Sequence, residues 1–305
     1  MDINDTNWST ELDGECFELT VKKTIIRGCH WKCTDEPKFI LLFLHGLCSN
    51  VEFNANFLRV FPSLGGSAIA TDHAGNGFSD GEVTTVYDIS DEAVELIKYA
   101  RQCYKETPIF LMGHSLGGLT VLYLTINKNP ILLSEVTGII PHAPWITTED
   151  GRGPNAIQTA AIKTFYYINP KFKINSGLSI DASCYPEGYK SVARVNPHLN
   201  PFMSAKLLAS ALWSMEKVVN SIDLVPDNLP ILFMQGENDN CVDTPRNIAW
   251  AEELKKNHEK DVTIKVYPKA PHDLFKWDSR KAAFNDLMEF INSHCKTFFS
   301  SRVHR

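Results

Sequence analysis

Ser115 stands at the centre of Gly113-His114-Ser115-Leu116-Gly117, with a glycine two places to either side. A serine hydroxyl is a poor nucleophile until a neighbouring imidazole accepts its proton, and the imidazole needs a carboxylate to fix its tautomer and steady the cation. The chain carries a candidate for each role farther on: Asp239 in Gly236-Glu237-Asn238-Asp239-Asn240-Cys241-Val242, and His272 in Pro268-Lys269-Ala270-Pro271-His272-Asp273, with Asp243 as the reserve acid. Such a set performs acyl transfer, in which the charge developing on a carbonyl oxygen is met by backbone N–H donors. G-x-S-x-G alone is a weak signal, since a chain of this length holds one by chance about one time in ten. The flanking elements must decide.

Those elements read as strands. The apolar run 108–112 leads directly into Gly113, so a strand turns sharply into a helix with Ser115 at its apex, a nucleophile elbow in which Gly113 and Gly117 let neighbouring backbone approach. The apolar run 39–44 ends in His45-Gly46-Leu47-Cys48, a loop placed to donate an N–H to an oxyanion. The expected donors are the amides of Leu47 and Leu116, with His45, Gly46, Gly113, His114 and Gly117 shaping the loop and elbow. The run 230–234 leads into the loop of Asp239, and the alternating run 262–267 into that of His272. Each chemical residue thus falls just beyond the carboxyl end of a strand, and the order Ser115, Asp239, His272 is that of the α/β-hydrolase triad.

Elsewhere, residues 17–21 and 24–29 suggest an opening hairpin, residues 67–71 a strand ending at Asp72, and residues 136–140 a further strand. The Ile89, Ala93, Leu96, Ile97, Ala100 spacing marks a helical stripe. This alternation predicts an α/β fold, a mostly parallel central sheet with helices on both faces. His142 arrives before any acid and reads as a loop histidine. From about Ala143 to Leu224 the alternation stops for longer than a loop in a compact domain allows. The expected organisation is a core of residues 1–142 and 225–305 with residues 143–224 as an inserted helical lid, its helices over 156–168 and 205–219.

His45-Gly46, Asp72-His73-Ala74-Gly75-Asn76-Gly77-Phe78-Ser79, residues 113–117, residues 236–242 and Pro271-His272 together resemble the monoglyceride lipase and lysophospholipase branch of the α/β-hydrolases. The resemblance runs from Phe39 to the end and includes Asn196-Pro197 through Asn228-Leu229-Pro230. It implies a carboxylic ester hydrolase that acts through an acyl-enzyme on a monoacylglycerol or lysophospholipid, without a cofactor. One departure stands out: such lipases usually read His-Gly-x-Gly in the oxyanion loop, and the fourth position here is Cys48. A serine triad does not separate ester from amide, so an aminopeptidase on the same scaffold is the first alternative, opposed by the scarcity of acidic residues in the lid. A hydrolase-like ligand receptor is the second. A dehalogenase is excluded, because it would carry aspartate where Ser115 stands.

The net charge of −6, with no basic run, argues against a nucleic-acid partner. With no apolar run long enough to span a bilayer and a polar start that lacks signal-peptide regions, the expectation is a soluble, cytoplasmic protein in which the sequon Asn7-Trp8-Ser9 stays silent. Eight scattered cysteines read as reduced thiols, and Cys29-His30-Trp31-Lys32-Cys33 lacks the second ligand pair of a metal site. Cys48 and Cys241 fall in loops framing the site, either as small buried residues or as targets of thiol modification. Residues 151–222 hold eight basic against three acidic residues, a balance of +5 that leaves −11 for the rest. A basic lid with apolar stripes fits peripheral contact with an anionic membrane, or a roof over the pocket with solvated lysines.

Overall fold

The apolar runs form one eight-stranded sheet in the computed structural model, which describes residues 11–148, 153–178, 185–258 and 261–303. The sequon and Cys184 lie outside the described residues. Strands β1 (Glu15–Val21) and β2 (Thr24–Trp31) make the opening antiparallel hairpin. Then β3 (Ile40–Leu44), α1 (Val51–Leu58), β4 (Ser67–Thr71), α2 (Val86–Cys103), β5 (Ile109–His114), α3 (Leu116–Ile126), α4 (Pro130–Glu135) and β6 (Gly138–His142) alternate. The chain next leaves the sheet for α5 (Ala156–Ile168), β7 (Lys173–Asn175), α6 (Glu187–Arg194), β8 (Phe202–Ser204) and α7 (Ala205–Asn220). It returns through β9 (Ile231–Gly236), α8 (Thr244–His258), β10 (Val262–Tyr267) and α9 (Arg280–Val303). The sheet order is β1-β2-β4-β3-β5-β6-β9-β10; β2 joins β4 antiparallel and every pairing from β4 to β10 is parallel.

Strand periodicity divides the core in two. Ile40, Leu42 and Leu44 of β3, Ile109 and Leu111 of β5, and Ile231 and Phe233 of β9 face α2, α3, α7 and α8. The alternate residues Leu41, Phe43, Phe110, Met112, Leu232 and Met234 face α1 and α9. Strands buried on both faces are uniformly apolar, as parallel sheets covered by helices require. The α2 stripe is buried as its spacing predicts, and Thr85 caps the helix by accepting the Asp88 amide.

Two expectations need correction. Val136 does not begin β6 but caps α4, its amide bonded to the Leu132 carbonyl, so the strand starts at Gly138. At the other end parallel pairing with β5 continues to His114 opposite His142, which makes His142 a buried strand residue rather than a loop histidine. The inserted segment holds the two expected helices and also α6 and the β7–β8 ribbon. An eight-residue helix and two three-residue strands are too short to leave a period in the sequence. The apolar stripe of α7 packs on the core, whereas α5 rests on α7 and buries none of its own residues.

Candidate active site

The elbow is built by close backbone approach. A Cβ on Gly113 would lie 2.3 Å from the Gly117 carbonyl, and one on Gly117 would lie 2.2 Å from the Leu44 carbonyl oxygen, so neither position admits a side chain. Ser115 itself is held at φ 54°, ψ −110°, a left-handed conformation that costs a non-glycine residue about 1–3 kcal/mol. Its amide donates to the His142 carbonyl (3.0 Å) and its carbonyl accepts from Leu119 (2.9 Å) and Trp145 (3.0 Å). Leu116 is the first residue of α3, so its N–H has no partner within the helix and sits at the positive end of the dipole.

Asp239 and His272 come together from the loops after β9 and β10. His272 Nδ1 donates to Asp239 Oδ2 at 2.7 Å, which leaves Nε2 as the ring nitrogen available to a hydroxyl. Asp239 Oδ2 also accepts from Gln235 Nε2 (2.8 Å), and Oδ1 accepts from the amides of Cys241 (2.8 Å) and Val242 (3.2 Å). Burial on its own would raise the carboxyl pKa, but His272 and these donors outweigh it and hold Asp239 below the usual carboxylate range. Burial would likewise lower His272, and the Asp239 charge outweighs it, leaving the imidazole above its ordinary value. The reserve acid Asp243 is engaged elsewhere, accepting from the Arg246 amide in the first turn of α8.

The loop after β3, where the oxyanion donor is expected, explains its departure from glycine. Cys48 has φ 56°, the region that glycine enters without penalty, so the position demands the backbone that the resemblance assigns to glycine and a cysteine adopts it under strain. Its Sγ donates to Ser176 Oγ (3.4 Å), and burial pushes the thiol up to about 11, so Cys48 stays protonated as a wall residue. Gly46 packs on the elbow, where a Cβ would lie 3.2 Å from both Ser115 Cβ and His114 Nδ1. Ser115, His272, Leu47 and Cys48 line one cavity of about 500 Å³, walled also by Phe53 and Leu199. Asp239, Cys241 and His272 bring three potential metal-ligand atoms within 4.8 Å of one another, but the carboxylate and Nδ1 are already bonded to each other.

Three arrangements near the site leave no mark in the sequence, although His114 itself is among the expected elbow residues. The His272 ring lies tilted against His114 (4.7 Å between centroids) and His114 against His142 (4.5 Å); burial keeps both supporting imidazoles neutral, His142 at about 3. Asp273 and Lys276, both nearly inaccessible, pair at 2.7 Å behind His272, and Lys276 Nζ also donates to Asn54 Oδ1 and lies 4.0 Å above the Phe53 ring. Glu92 of α2 is buried against His73. Lys276 and Glu92 are charged residues on short or amphipathic helices, and nothing in their local sequence separates them from surface charges.

The family model described as serine aminopeptidase, S33, matches residues 35–278. The chain belongs to the serine aminopeptidase S33 family. The chain's relatives include the monoglyceride lipase of Rattus norvegicus, 26% identical over 90% of this chain and 86% of that protein. Phospholipase YtpA of Bacillus subtilis is also 26% identical, over 87% of this chain and 98% of that one. A soluble variant of monoglyceride lipase from Saccharomyces cerevisiae, solved with a substrate analog, superposes with a TM-score of 0.79 at 19% identity, covering 96% of this chain and 98% of the other. The expected α/β-hydrolase fold and the membership in a monoacylglycerol lipase-like family of hydrolytic enzymes both stand.

Proposed function

We propose that this hydrolase cleaves the carboxylic ester of a lipid, a monoacylglycerol or lysophospholipid, through an acyl-enzyme formed on Ser115. Ser115 attacks the carbonyl while His272 Nε2 takes its proton, the amides of Leu47 and Leu116 receive the oxyanion, and Asp239 keeps the imidazole in the tautomer that can accept. His272 then returns the proton to the leaving alcohol, and water repeats the cycle on the ester of Ser115. Residues 143–224 act as the lid over the acyl chain.

One observation carries the choice of ester over peptide. Among the described residues, the sole carboxylate lining the cavity is Asp273, already paired with Lys276, so nothing there is free to hold the ammonium of a peptide amino terminus. The walls around Ser115 are otherwise apolar or neutral, apart from Arg194 and Lys276. The relatives named as lipases and a phospholipase support the same reading. The test is kcat/KM of wild type and Ser115→Ala on a long-chain monoacylglycerol, a lysophosphatidylcholine and an amino-acid anilide. Serine-dependent turnover of a lipid is expected; cleavage of the anilide alone would move the assignment to a peptidase.

The lid also meets a lipid surface in this reading. Along and beside α5 the side chains of Ile157 (82%), Tyr167 and Ile168 (both 76%) are exposed on a segment whose charge balance is +5. Apolar side chains at that exposure beside lysines suit insertion among anionic headgroups. Binding to vesicles containing phosphatidylserine should exceed binding to phosphatidylcholine alone and weaken with salt, and equal binding to both would sink the idea.

A further inference from the structure

The oxyanion loop hangs on two histidines and a carboxyl group whose hydrogen bonds fix the number of protons between them. His45 Nε2 accepts from the His73 amide (3.0 Å), so its proton is on Nδ1, which donates to the Gly46 carbonyl (2.8 Å). His73 Nε2 lies 3.1 Å from the His45 carbonyl, which can only accept, so Nε2 carries a proton. The remaining nitrogen, His73 Nδ1, faces Glu92 Oε2 at 2.9 Å. A neutral imidazole would offer a lone pair there, and a carboxylate would offer another. The contact therefore needs one further proton, held either by Glu92 or by His73. Glu92 Oε1 is meanwhile engaged by the Ala74 amide (3.0 Å).

The Gly46 carbonyl is the far end of the peptide whose N–H belongs to Leu47. Peptides among the described residues are trans, so the two groups point in opposite directions and fixing the oxygen aims the amide. We propose that Glu92 is a positioning residue for the reaction: the proton it shares with His73 holds His45, and through it the Gly46–Leu47 peptide, with the Leu47 N–H aimed at the oxyanion. This rests on the assignment of Leu47 as an oxyanion donor made above.

Burial of both partners supports the neutral form of the pair, with Glu92 donating: it raises the carboxyl to about 8 and lowers His73 to about 4. Asp88 and Asp91 on the same helix push Glu92 in the same direction, while the Ala74 amide and Lys22, in the turn after β1, oppose it. His45, stacked on His73 at 3.9 Å, is kept neutral by burial, with His73 and Lys276 also disfavouring its cation. Loss of the shared proton turns a carboxylate toward a lone pair in a site almost closed to water, and the support of the loop fails.

Glu92→Gln is the informative change, because its amide can donate to His73 Nδ1 and accept from Ala74 without titrating. Steady-state rates on a short soluble ester between pH 6 and 10 should show wild-type kcat falling at least about tenfold through an apparent pKa near 8. Glu92→Gln should keep kcat at pH 7 within about threefold and lose that alkaline limb. Glu92→Leu should lower kcat at pH 7 about tenfold or more with KM within about threefold, since a misaimed donor weakens the transition state more than the ground state. An unchanged alkaline limb in Glu92→Gln, or wild-type kcat in Glu92→Leu, overturns the proposal. Imidazole and amide nitrogen resonances, followed over the same pH range, separate this proposal from the ester assignment. His73 and Leu47 signals should move together in wild type and stay fixed in Glu92→Gln even if no ester is turned over, and static signals in wild type overturn the coupling.

Discussion

Replacing Asp239 by asparagine tests the reading of the site through a proton, and the structure fixes the direction of the effect. The two oxygens of Asp239 are not equivalent: Oδ1 accepts two backbone amides, from Cys241 and Val242, while Oδ2 accepts from His272 Nδ1 and Gln235 Nε2. An asparagine would keep its carbonyl oxygen on the two amides, which puts its NH2 where Oδ2 was. That NH2 donates to His272 Nδ1 and drives the ring proton to Nε2, the nitrogen proposed to accept the proton of Ser115. It also opposes the donor of Gln235, whose own carbonyl is used by Asn247 Nδ2 at 3.2 Å. The expected loss is about 10³–10⁴ in kcat, some 4–5.5 kcal/mol of barrier, with little change in KM. The pH profile adds a second readout. In wild type Asp239 holds the His272 pKa up against burial, and a base works only when neutral, so with His272 as the proposed base activity should fall as pH drops through that raised value. With that charge gone burial is opposed only by the weaker pull of Asp273, and the acid limb should move to lower pH. Stopped-flow and steady-state rates on an activated ester from pH 4 to 9 measure both. A fall of less than about tenfold, or an acid limb that moves upward, would refute the assignment of Asp239 as the group that orients His272.

Two further outcomes follow from strain and burial. Ser115→Gly should abolish turnover while raising stability by about 1 kcal/mol, roughly 2 °C in melting temperature, because glycine occupies φ 54° without steric cost; a melting temperature at or below wild type by calorimetry would show that the elbow stores no strain. Lys276→Met should destabilise by about 3–5 kcal/mol by leaving the Asp273 charge buried alone, and adding Asp273→Asn should recover more than half. The pair also sets a pH dependence. Lys276, with His114 and His142, holds Asp273 well below the usual carboxylate range despite burial, so its stability is present above the unfolded pKa and is lost as pH falls through the lower folded one. Without Lys276 burial raises that pKa, the sign reverses, and stability is lost as pH rises. Urea unfolding at pH 5 and pH 8 should therefore show Lys276→Met losing stability toward pH 8 relative to wild type, in which Asp273 contributes equally at both, and an equal change in the two proteins would remove the Lys276 charge as the cause.

The sheet and the elbow were legible because each is written in contiguous residues. Residues 40–44, 109–112 and 231–234 are apolar throughout, as strands buried on both faces must be, and Gly113 and Gly117 mark a close approach that any side chain would block. Asp239 and His272 were legible for a related reason, since a loop at the carboxyl end of a parallel strand opens onto the same edge as every other. Residues acting across the fold left no such mark. Glu92 lies within two turns of α2 that also hold Asp88, Asp91 and Glu95, and only packing of α2 against the loop of His73 turns one acid of that series into a buried partner. Lys276 is likewise hidden because Phe53 and Asn54, which receive it, are more than 200 positions away. His142 was misread because a strand's end is set by the neighbour it pairs with, and Gly113 and His114 supply two more rungs than periodicity alone could count.

That division has a physical origin that bears on the reaction. The groups proposed to break and form bonds sit on loops whose positions follow from strand order alone, so they can be read locally. The groups that tune them are buried charges and imidazoles, stable only where several elements meet to supply partners and exclude water. His272 illustrates both sides: its position follows from β10, whereas its basicity reflects a balance between burial and the charge of Asp239, a residue 33 positions away. The proposed oxyanion loop does the same, with Gly46 and Leu47 written after β3 and joined by hydrogen bonds through His45 and His73 to a carboxyl group on α2. Substitutions that leave every locally readable motif intact, such as Glu92→Leu or Lys276→Met, are therefore the ones expected to change rate and pH dependence most sharply for the smallest change in sequence pattern.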